Sequence, residues 1–240
     1  MDPANKPKRH PPTEECCECK VSCDAHCLNR IAGLECVGNS KNKSDHTNPY
    51  RNCNVGPSCG NRLLTSREMA KCKPVRETGK GWGLVSVHGV KKGNIVLEYV
   101  GEIIDEKTKR SRLDAWAAEH PNDPNFYIMS LESGWYIDAR EMANLSRFVN
   151  HSCEPNCQLS RIIVAGYLRI AIIAIKDVAP GEFLRYDVTN VVMLSTFNIV
   201  MSMILMIFVC ISFKVMITIL IQKMGINSFV VAVRINVVVQ

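Results

Sequence analysis

The sequence predicts an irregular, mainly β domain with one inserted helix, preceded by a cysteine-rich module and followed by an apolar tail. Three observations support this organisation. Nine of the 12 cysteines lie before position 73. Residues 73–188 alternate short runs of strand-forming residues with turn signals. Residues 189–240 are rich in Val, Ile and Met and contain no acidic residue.

The first 15 residues are rich in proline and charge, so we expect a disordered, basic tail. They lack the apolar stretch of a secretory signal peptide. In a reducing compartment, clustered cysteines favour metal binding over disulfides. The run Lys6-Pro7-Lys8-Arg9-His10 fits either a nuclear address or a solvated tail. The net charge of +6 suits an acidic partner such as DNA, but it equally suits an ordinary soluble protein.

The cysteine-rich module, residues 16–65, has little hydrophobic periodicity, so metal is expected to hold it together. Its candidate ligands are Cys17, Cys19, Cys23, Cys27, Cys36, Cys53 and Cys59. A structural zinc ion takes four thiolates, so seven thiolates satisfy two ions if one sulfur bridges them. No position is then left for water, and the zinc would be architectural. Cys16 is an alternative to Cys17, and some of these residues could be plain buried thiols.

The predicted strands of the β domain, residues 73–188, are 83–87, 95–100, 126–131, 135–137 and 162–175. Residues 106–119 are predicted to form the inserted helix. We place its basic residues on the solvent side: Lys107, Lys109, Arg110 and Arg112.

Two stretches of this domain carry candidate functional residues. Lys80-Gly81-Trp82-Gly83 precedes a predicted strand, and its glycines let the backbone approach a ligand closely. Alone, such a pair of glycines usually marks only a turn. The run 147–157 reads Arg-Phe-Val-Asn-His-Ser-Cys-Glu-Pro-Asn-Cys, and Asn and His in a buried turn must each find hydrogen-bond partners. A satisfied polar turn is the simpler interpretation of this run by itself.

Further blocks lie between and after these stretches, in the order 98–102 (Glu-Tyr-Val-Gly-Glu), 125–127 (Asn-Phe-Tyr), 136–139 (Tyr-Ile-Asp-Ala) and 181–187 (Gly-Glu-Phe-Leu-Arg-Tyr-Asp). With the glycine turn and the 147–157 run, they resemble SET-domain protein-lysine methyltransferases. The cysteine spacing, with Cys27-Leu28-Asn29-Arg30 and Cys59-Gly60-Asn61-Arg62, resembles the AWS zinc module that precedes such domains. The combination is similar to the Set-two, Ash and NSD class, over residues 17–187.

The resemblance implies a histone-lysine N-methyltransferase that uses S-adenosylmethionine and acts on the histone H3 tail in nucleosomes, most often at lysine 36. Contacts with nucleosomal DNA and a location in the nucleus, on chromosomes, follow from it. It assigns cofactor binding to Lys80, Gly81, Trp82, Gly83, Asn125, Phe126, Tyr127, Arg147, Asn150 and His151. It makes Tyr127 and Tyr186 the catalytic candidates; core aromatics with satisfied hydroxyls are the alternative.

For the metal, the resemblance gives one zinc ion to Cys17, Cys19, Cys23 and Cys27. The second ion takes Cys23, Cys36, Cys53 and Cys59, with Cys23 shared by both ions. The segment from Cys19 to Cys23 is shorter than is usual in the family, and the loop 37–52 is longer.

The C-terminal block departs from the family pattern. Val188 stands where the resemblance places the catalytic tyrosine, and it has no hydroxyl. Cys153 corresponds to a ligand that joins three later cysteines around a third zinc ion, but the tail offers only Cys210. We therefore expect no third zinc ion, and a Cys153 thiol without metal.

The apolar tail has two interpretations. Residues 191–213 carry no charge and are long enough to cross a bilayer as a helix, which would anchor the protein to a membrane. Alternatively, residues 188–240 are a translated intron or a shifted reading frame, since a Val-Thr pair can be encoded by a sequence that starts with the intron donor GT. We favour the second interpretation, in which the tail is not genuine protein sequence.

Two other functions compete with methyl transfer. Because of Val188, the domain could be a catalytically impaired SET module that binds chromatin or cofactor. A hydrolase built on His151 and Cys153 is disfavoured, because the two residues are almost adjacent and no orienting group is evident.

Overall fold

The structure is a computed structural model that describes residues 6–13, 16–37, 50–55, 58–121 and 127–188. Its helices are α1 (Leu28–Ile31), α2 (Leu63–Ser66) and α3 (Glu106–Glu119), with a 3-10 helix at Leu145–Phe148. Its strands are β1 (Cys72–Glu77), β2 (Gly81–Ser86), β3 (Ile95–Tyr99), β4 (Glu102–Asp105), β5 (Ile128–Glu132), β6 (Trp135–Asp138), β7 (Asn150–His151), β8 (Cys157–Val164), β9 (Tyr167–Ala174) and β10 (Arg185–Tyr186). The predicted mainly β domain with one long helix, preceded by a cysteine cluster, is confirmed.

Four small sheets make up the β domain. Strands β3-β9-β8 and β4-β6-β5 form two three-stranded antiparallel sheets, and β1 pairs with β2. The fourth sheet pairs β7 with β10 in parallel, so that Tyr186 lies opposite His151. The C-terminal block, residues 181–187, therefore lies beside the 147–157 run.

Helix α3 has the predicted bounds. The Asp105 side chain accepts a hydrogen bond from the Thr108 amide and caps its first turn. The prediction of four solvent-facing basic residues is wrong for two of them. Lys109 Nζ lies 3.9 Å from the centre of the Tyr136 ring, and Arg112 pairs with Glu102 and Asp138. Carboxylates and an aromatic face on β4 and β6 attract these two side chains inward.

The apolar run 162–175, predicted as one strand, is two strands. It is divided between β8 and β9, which pair through the register Val164↔Tyr167. The turn between them places Ala165 at φ +48° and Gly166 at φ +81°. A single glycine in an apolar run is a weak turn signal, which is why the sequence concealed this hairpin.

The cysteine-rich module is joined to the β domain through Leu34 and Glu35. Leu34 forms a parallel bridge with Ile163, and the Glu35 amide donates to the Ile163 carbonyl at 2.9 Å. The buried Glu35 carboxylate accepts from the Leu64 amide at 2.7 Å, the Thr65 amide at 3.2 Å and the Thr65 hydroxyl at 2.7 Å. The side chain thus caps α2, which packs through Leu64 against Ile95.

The terminal segments are described only in part. Within the predicted disordered tail, residues 6–13 form no helix or strand, but the His10 amide donates to the Gly166 carbonyl at 2.8 Å. The predicted membrane helix 191–213 and the rest of the apolar tail lie outside the described residues. Among the residues that are described, no helix is long and apolar enough to cross a membrane.

Candidate functional site

The glycine turn, residues 80–83, and the 147–157 run are in contact, although 68 residues separate Trp82 from Asn150. Asn150 Nδ2 donates to the Trp82 carbonyl at 3.1 Å. Gly81 has φ +73° and open space where a side chain would stand. A Cβ atom on Gly83 would lie 2.8 Å from the Phe183 ring, so the backbone comes close to the C-terminal block as well. The two predicted stretches are therefore in direct contact.

His151 connects this site to the end of the β domain. Its Nδ1 accepts a hydrogen bond from the Val188 amide at 3.3 Å, and Asp187 Oδ1 lies 3.7 Å from the same atom. Burial lowers the pKa of His151, and its effect outweighs the opposing carboxylate of Asp187; the charge of Lys80 lowers the pKa further. The ring is therefore neutral at pH 7, as acceptance at Nδ1 requires.

Tyr127 is held in an unusual backbone conformation. Its φ is +51°, in the left-handed region that a bulky residue seldom adopts. Its carbonyl accepts from the Tyr99 hydroxyl at 3.0 Å and from the Ala139 amide at 2.9 Å. The Arg147 guanidinium lies 4.2 Å from the centre of its ring. Backbone strain that is fixed by so many contacts is typical of functional sites.

Three tyrosines and Val188 share this region. Tyr99 and Tyr186 are buried in the main core, and Tyr127 and Val188 pack against that core. Burial raises the pKa of Tyr186 to about 12 and raises that of Tyr99 too, so both phenols stay neutral. Sequence analysis missed Tyr99 as a site residue, although it lies in the block 98–102 that carries part of the resemblance.

The predicted cofactor residues are compatible with S-adenosylmethionine. Arg147 Nε is buried without a hydrogen-bond partner among the described residues, and such an atom can pair with a ligand or with water. The open backbone at Gly81 allows close approach. Asn125 and Phe126 lie outside the described residues. The assignment of individual cofactor contacts stays a prediction.

Asn156, at the end of the 147–157 run, has a structural role. Its buried side chain donates to Glu182 Oε1 at 2.9 Å and to the Phe183 carbonyl at 2.8 Å, and it accepts from the Arg185 amide at 2.8 Å. This one amide uses most of its hydrogen-bonding capacity on the C-terminal block. The simpler interpretation, a satisfied polar turn, is correct for this part of the run.

The thiols of the cysteine-rich module lie close together, as the ligands of a metal ion do. The Sγ atoms of Cys17 and Cys23 are 3.6 Å apart, those of Cys27 and Cys36 3.9 Å, and those of Cys53 and Cys59 3.8 Å. Four thiolates around zinc, with Zn–S bonds of about 2.3 Å, form a tetrahedron with edges of about 3.8 Å. The observed spacing therefore fits zinc.

The cysteines form two groups of four, and within each group all the Sγ atoms lie within 4.8 Å of one another. They are Cys17, Cys23, Cys27 and Cys36, and Cys23, Cys36, Cys53 and Cys59. The second group equals the set predicted for one ion. In the first, Cys36 stands where Cys19 was predicted, and Cys19 packs against the cluster. The distribution of the seven cysteines between two ions stays a prediction.

Two asparagines support the thiol cluster. Asn29 Nδ2 lies 3.4 Å from Cys36 Sγ, and Asn61 Nδ2 lies 3.3 Å from the same sulfur. Each belongs to one of the two Cys-x-Asn-Arg segments of the sequence, at residues 27–30 and 59–62. Donors of this kind stabilise a thiolate. Burial raises the pKa of Cys17 to about 12, and a bound cation would favour the thiolate form of this residue.

Comparison with known proteins agrees with this architecture. The family model described as "SET domain" matches residues 81–187, so the chain contains a SET domain. Histone-lysine N-methyltransferase ASHH1 of Arabidopsis thaliana is 35% identical over 71% of this chain and 33% of its own length. A "Histone-lysine N-methyltransferase, H3 lysine-36 specific" of Candida albicans is 34% identical over 68% of this chain and 18% of its own length. The chain is homologous to histone-lysine N-methyltransferases of the Ash and Set-two type.

The fold is also found in a solved structure. A humanized mutant of the Chaetomium thermophilum Polycomb Repressive Complex 2, bound to the inhibitor GSK343, superposes with a TM-score of 0.58 at 23% identity. The match covers 73% of this chain and 24% of that one, and it shows the fold alone. The chain spans a third or less of the length of these two curated relatives and of the solved chain.

Proposed function

We propose that this chain is a protein-lysine N-methyltransferase that transfers the methyl group of S-adenosylmethionine to a lysine of histone H3, the lysine-36 site by similarity to its relatives. The observation that carries the proposal is the hydrogen bond from Asn150 to the Trp82 carbonyl at 3.1 Å. It joins the two stretches that the family uses to bind the cofactor. The nucleosome, with its DNA, is the expected partner, and the nucleus is the expected location.

The site residues suit direct methyl transfer. A lysine amine, with a pKa of ~10.4 in water, is protonated there and cannot attack. A dry channel lined by aromatic rings favours the neutral amine. When bound, S-adenosylmethionine supplies an activated methyl group on a sulfonium. The Tyr127 backbone and the neutral Tyr186 phenol would orient the amine, and alignment supplies much of the acceleration.

A second candidate function follows from Val188. Its amide contacts His151 Nδ1 and its side chain packs against the core, so an aliphatic group occupies the position expected for the catalytic tyrosine. A chain that keeps the cofactor pocket but lacks that hydroxyl would bind cofactor or chromatin with little turnover.

Two structural zinc ions belong to this proposal. Thiol spacings of 3.6–3.9 Å and the two groups of four sulfurs support them. The zinc would organise residues 16–65 and would take no part in the chemistry. A membrane location is retained only as the alternative in which the tail is genuine.

The test uses the full chain with recombinant nucleosomes and labelled S-adenosylmethionine, together with calorimetry of cofactor binding. Label on H3 supports the enzyme. Cofactor binding without label supports the impaired module, and Val188→Tyr should then raise activity. Asn150→Ala should weaken cofactor binding, whereas Asn94→Ala, at an exposed asparagine in the turn before β3, should not. Absence of cofactor binding by the folded wild-type chain would reject the methyltransferase and the cofactor-binding module, and would leave only a module that binds chromatin.

A further inference from the structure

A buried carboxylate ends strand β6 beside the candidate site. Asp138 is only 2% exposed. Its Oδ2 accepts from Arg112 Nη1 and Arg140 Nη2, both at 2.9 Å, and its Oδ1 accepts from the Arg140 amide and Nε, both at 3.1 Å. Burial alone would raise the pKa of Asp138, but the hydrogen bonds from Arg140 and Arg112 outweigh it and lower the pKa. The carboxylate is thus charged and fully paired.

Arg112 connects this carboxylate to helix α3. The same Nη1 atom that binds Asp138 lies 2.8 Å from Glu102 Oε2 at the start of β4. A Cβ atom on Gly101 would lie 2.4 Å from the Asp138 carbonyl, so the backbones of the two strands are in close contact here. The helix, β4 and the end of β6 therefore form one ion-paired unit.

The two residues after Asp138 contact Tyr127 by separate routes. The Ala139 amide donates to the Tyr127 carbonyl at 2.9 Å. The Arg140 carbonyl accepts from Arg147 Nη1 at 2.6 Å, and the Arg147 guanidinium stacks on the Tyr127 ring. Because Tyr127 has a positive φ, its backbone depends on such contacts. A change at Asp138 would reach Tyr127 through both its carbonyl and its ring.

We infer that Asp138, clamped by Arg112 and Arg140, is a positioning residue that sets the conformation of Tyr127 and Arg147 for cofactor binding. The inference rests on the proposed function, since it is S-adenosylmethionine that these residues would bind. It extends that function to helix α3, because the Arg112 side chain pairs with Asp138 and the Arg112 carbonyl accepts a hydrogen bond from Arg140 at 3.4 Å.

The experiment compares Asp138→Asn with Asp177→Asn in the full chain. Both replacements remove one carboxylate charge, but Asp177 is exposed and pairs with Lys91 at 2.8 Å. Loss of a charge-assisted hydrogen bond corresponds to about a tenfold change in an equilibrium. Asp138→Asn should therefore speed hydrogen exchange of the Ala139 amide about tenfold and weaken S-adenosylmethionine binding by about the same factor. Asp177→Asn should change neither.

Arg147→Lys tests whether the effect passes through Arg147. It keeps the charge but not the planar stack on Tyr127. In this background, Asp138→Asn should cost less cofactor affinity than it does in the wild-type chain. Fully additive losses would assign Asp138 a general packing role and overturn the inference. If Asp138→Asn does not fold, Arg112→Gln, which leaves Arg140 on the carboxylate, should give the same two changes.

The two proposals fail differently. If the folded wild-type chain binds no S-adenosylmethionine, the proposed function fails, while exchange of the Ala139 amide still decides whether Asp138 orders this segment. If the cofactor binds but Ala139 exchange and cofactor affinity are the same in Asp138→Asn and Asp177→Asn, only the positioning role is refuted.

Discussion

Glu35 provides the sharpest test of how the cysteine-rich module is attached to the β domain. Its carboxylate is buried and accepts hydrogen bonds from the Leu64 amide, the Thr65 amide and the Thr65 hydroxyl. Glu35→Ala would leave the amide of the buried Leu64 without an acceptor. An unsatisfied buried donor costs about 1–3 kcal/mol, and the lost cap of α2 adds about 1 kcal/mol. We expect a loss of about 2–4 kcal/mol in the free energy of unfolding.

The assay is urea unfolding at neutral pH with zinc present, monitored by circular dichroism. Glu35→Gln keeps one acceptor oxygen and should lose about half as much as Glu35→Ala. Glu68→Ala, at an exposed position just after α2, is the matched control and should be nearly neutral. If Glu35→Ala is as stable as Glu68→Ala, the carboxylate does not hold the two parts together and the reasoning is refuted.

Three further predictions concern metal, pH and the N-terminal segment. A zinc chelator should release about two ions per chain and unfold residues 16–65. Acidification should release the ions too, because each cysteine must be deprotonated to bind zinc. A metallochromic dye counts the released ions, and a module that stays folded after complete metal removal would contradict the architectural role of zinc. Because the native state lowers the pKa of His151, the unfolded chain takes up that proton first, so stability should fall as pH decreases below about 6.5. Urea unfolding across this range should show a weaker pH dependence in His151→Gln than in the exposed-site control His88→Gln, and equal slopes would refute the assignment. Gly166→Ala would place a Cβ atom 2.4 Å from the Tyr50 ring and 2.9 Å from the His10 carbonyl, so trypsin should cleave after Arg9 faster than in wild type, whereas Gly134→Ala, with a similar φ of +76° and open space, should not change cleavage.

The sequence predicted those parts of the fold whose signals are local. Helix α3 has its predicted bounds because Asp105 caps it and helix-forming residues fill it. Strand β1 escaped prediction because Pro74 lies within it, and proline weakens a strand assignment. The β8–β9 hairpin escaped because Ala165 gives no turn signal although it adopts φ +48°.

The candidate site, too, was predictable only where the sequence carries a local motif. Motif order predicted that Trp82 and Asn150 share a site, and their hydrogen bond brings them together. The inward turn of Arg112 was not predictable, because it depends on carboxylates of β4 and β6 that only the folded sheet places under α3. Tyr99 was missed for a related reason: its hydroxyl acts on the backbone of Tyr127, the residue before β5, which belongs to a different sheet from β3.

The cysteine-rich module is connected to the candidate site through strand β3. Glu35 caps α2, and Leu64 of α2 packs against Ile95 at the start of β3. The same strand ends at Tyr99, whose hydroxyl holds the Tyr127 carbonyl. Strand β3 pairs with β9, with a register irregularity between Ile95 and Leu97, so we expect a shift at Ile95 to reach Tyr99 through this strand. Metal loss in residues 16–65 should therefore loosen Tyr127 before it unfolds the β domain, because Glu35 and α2 connect the module to β3.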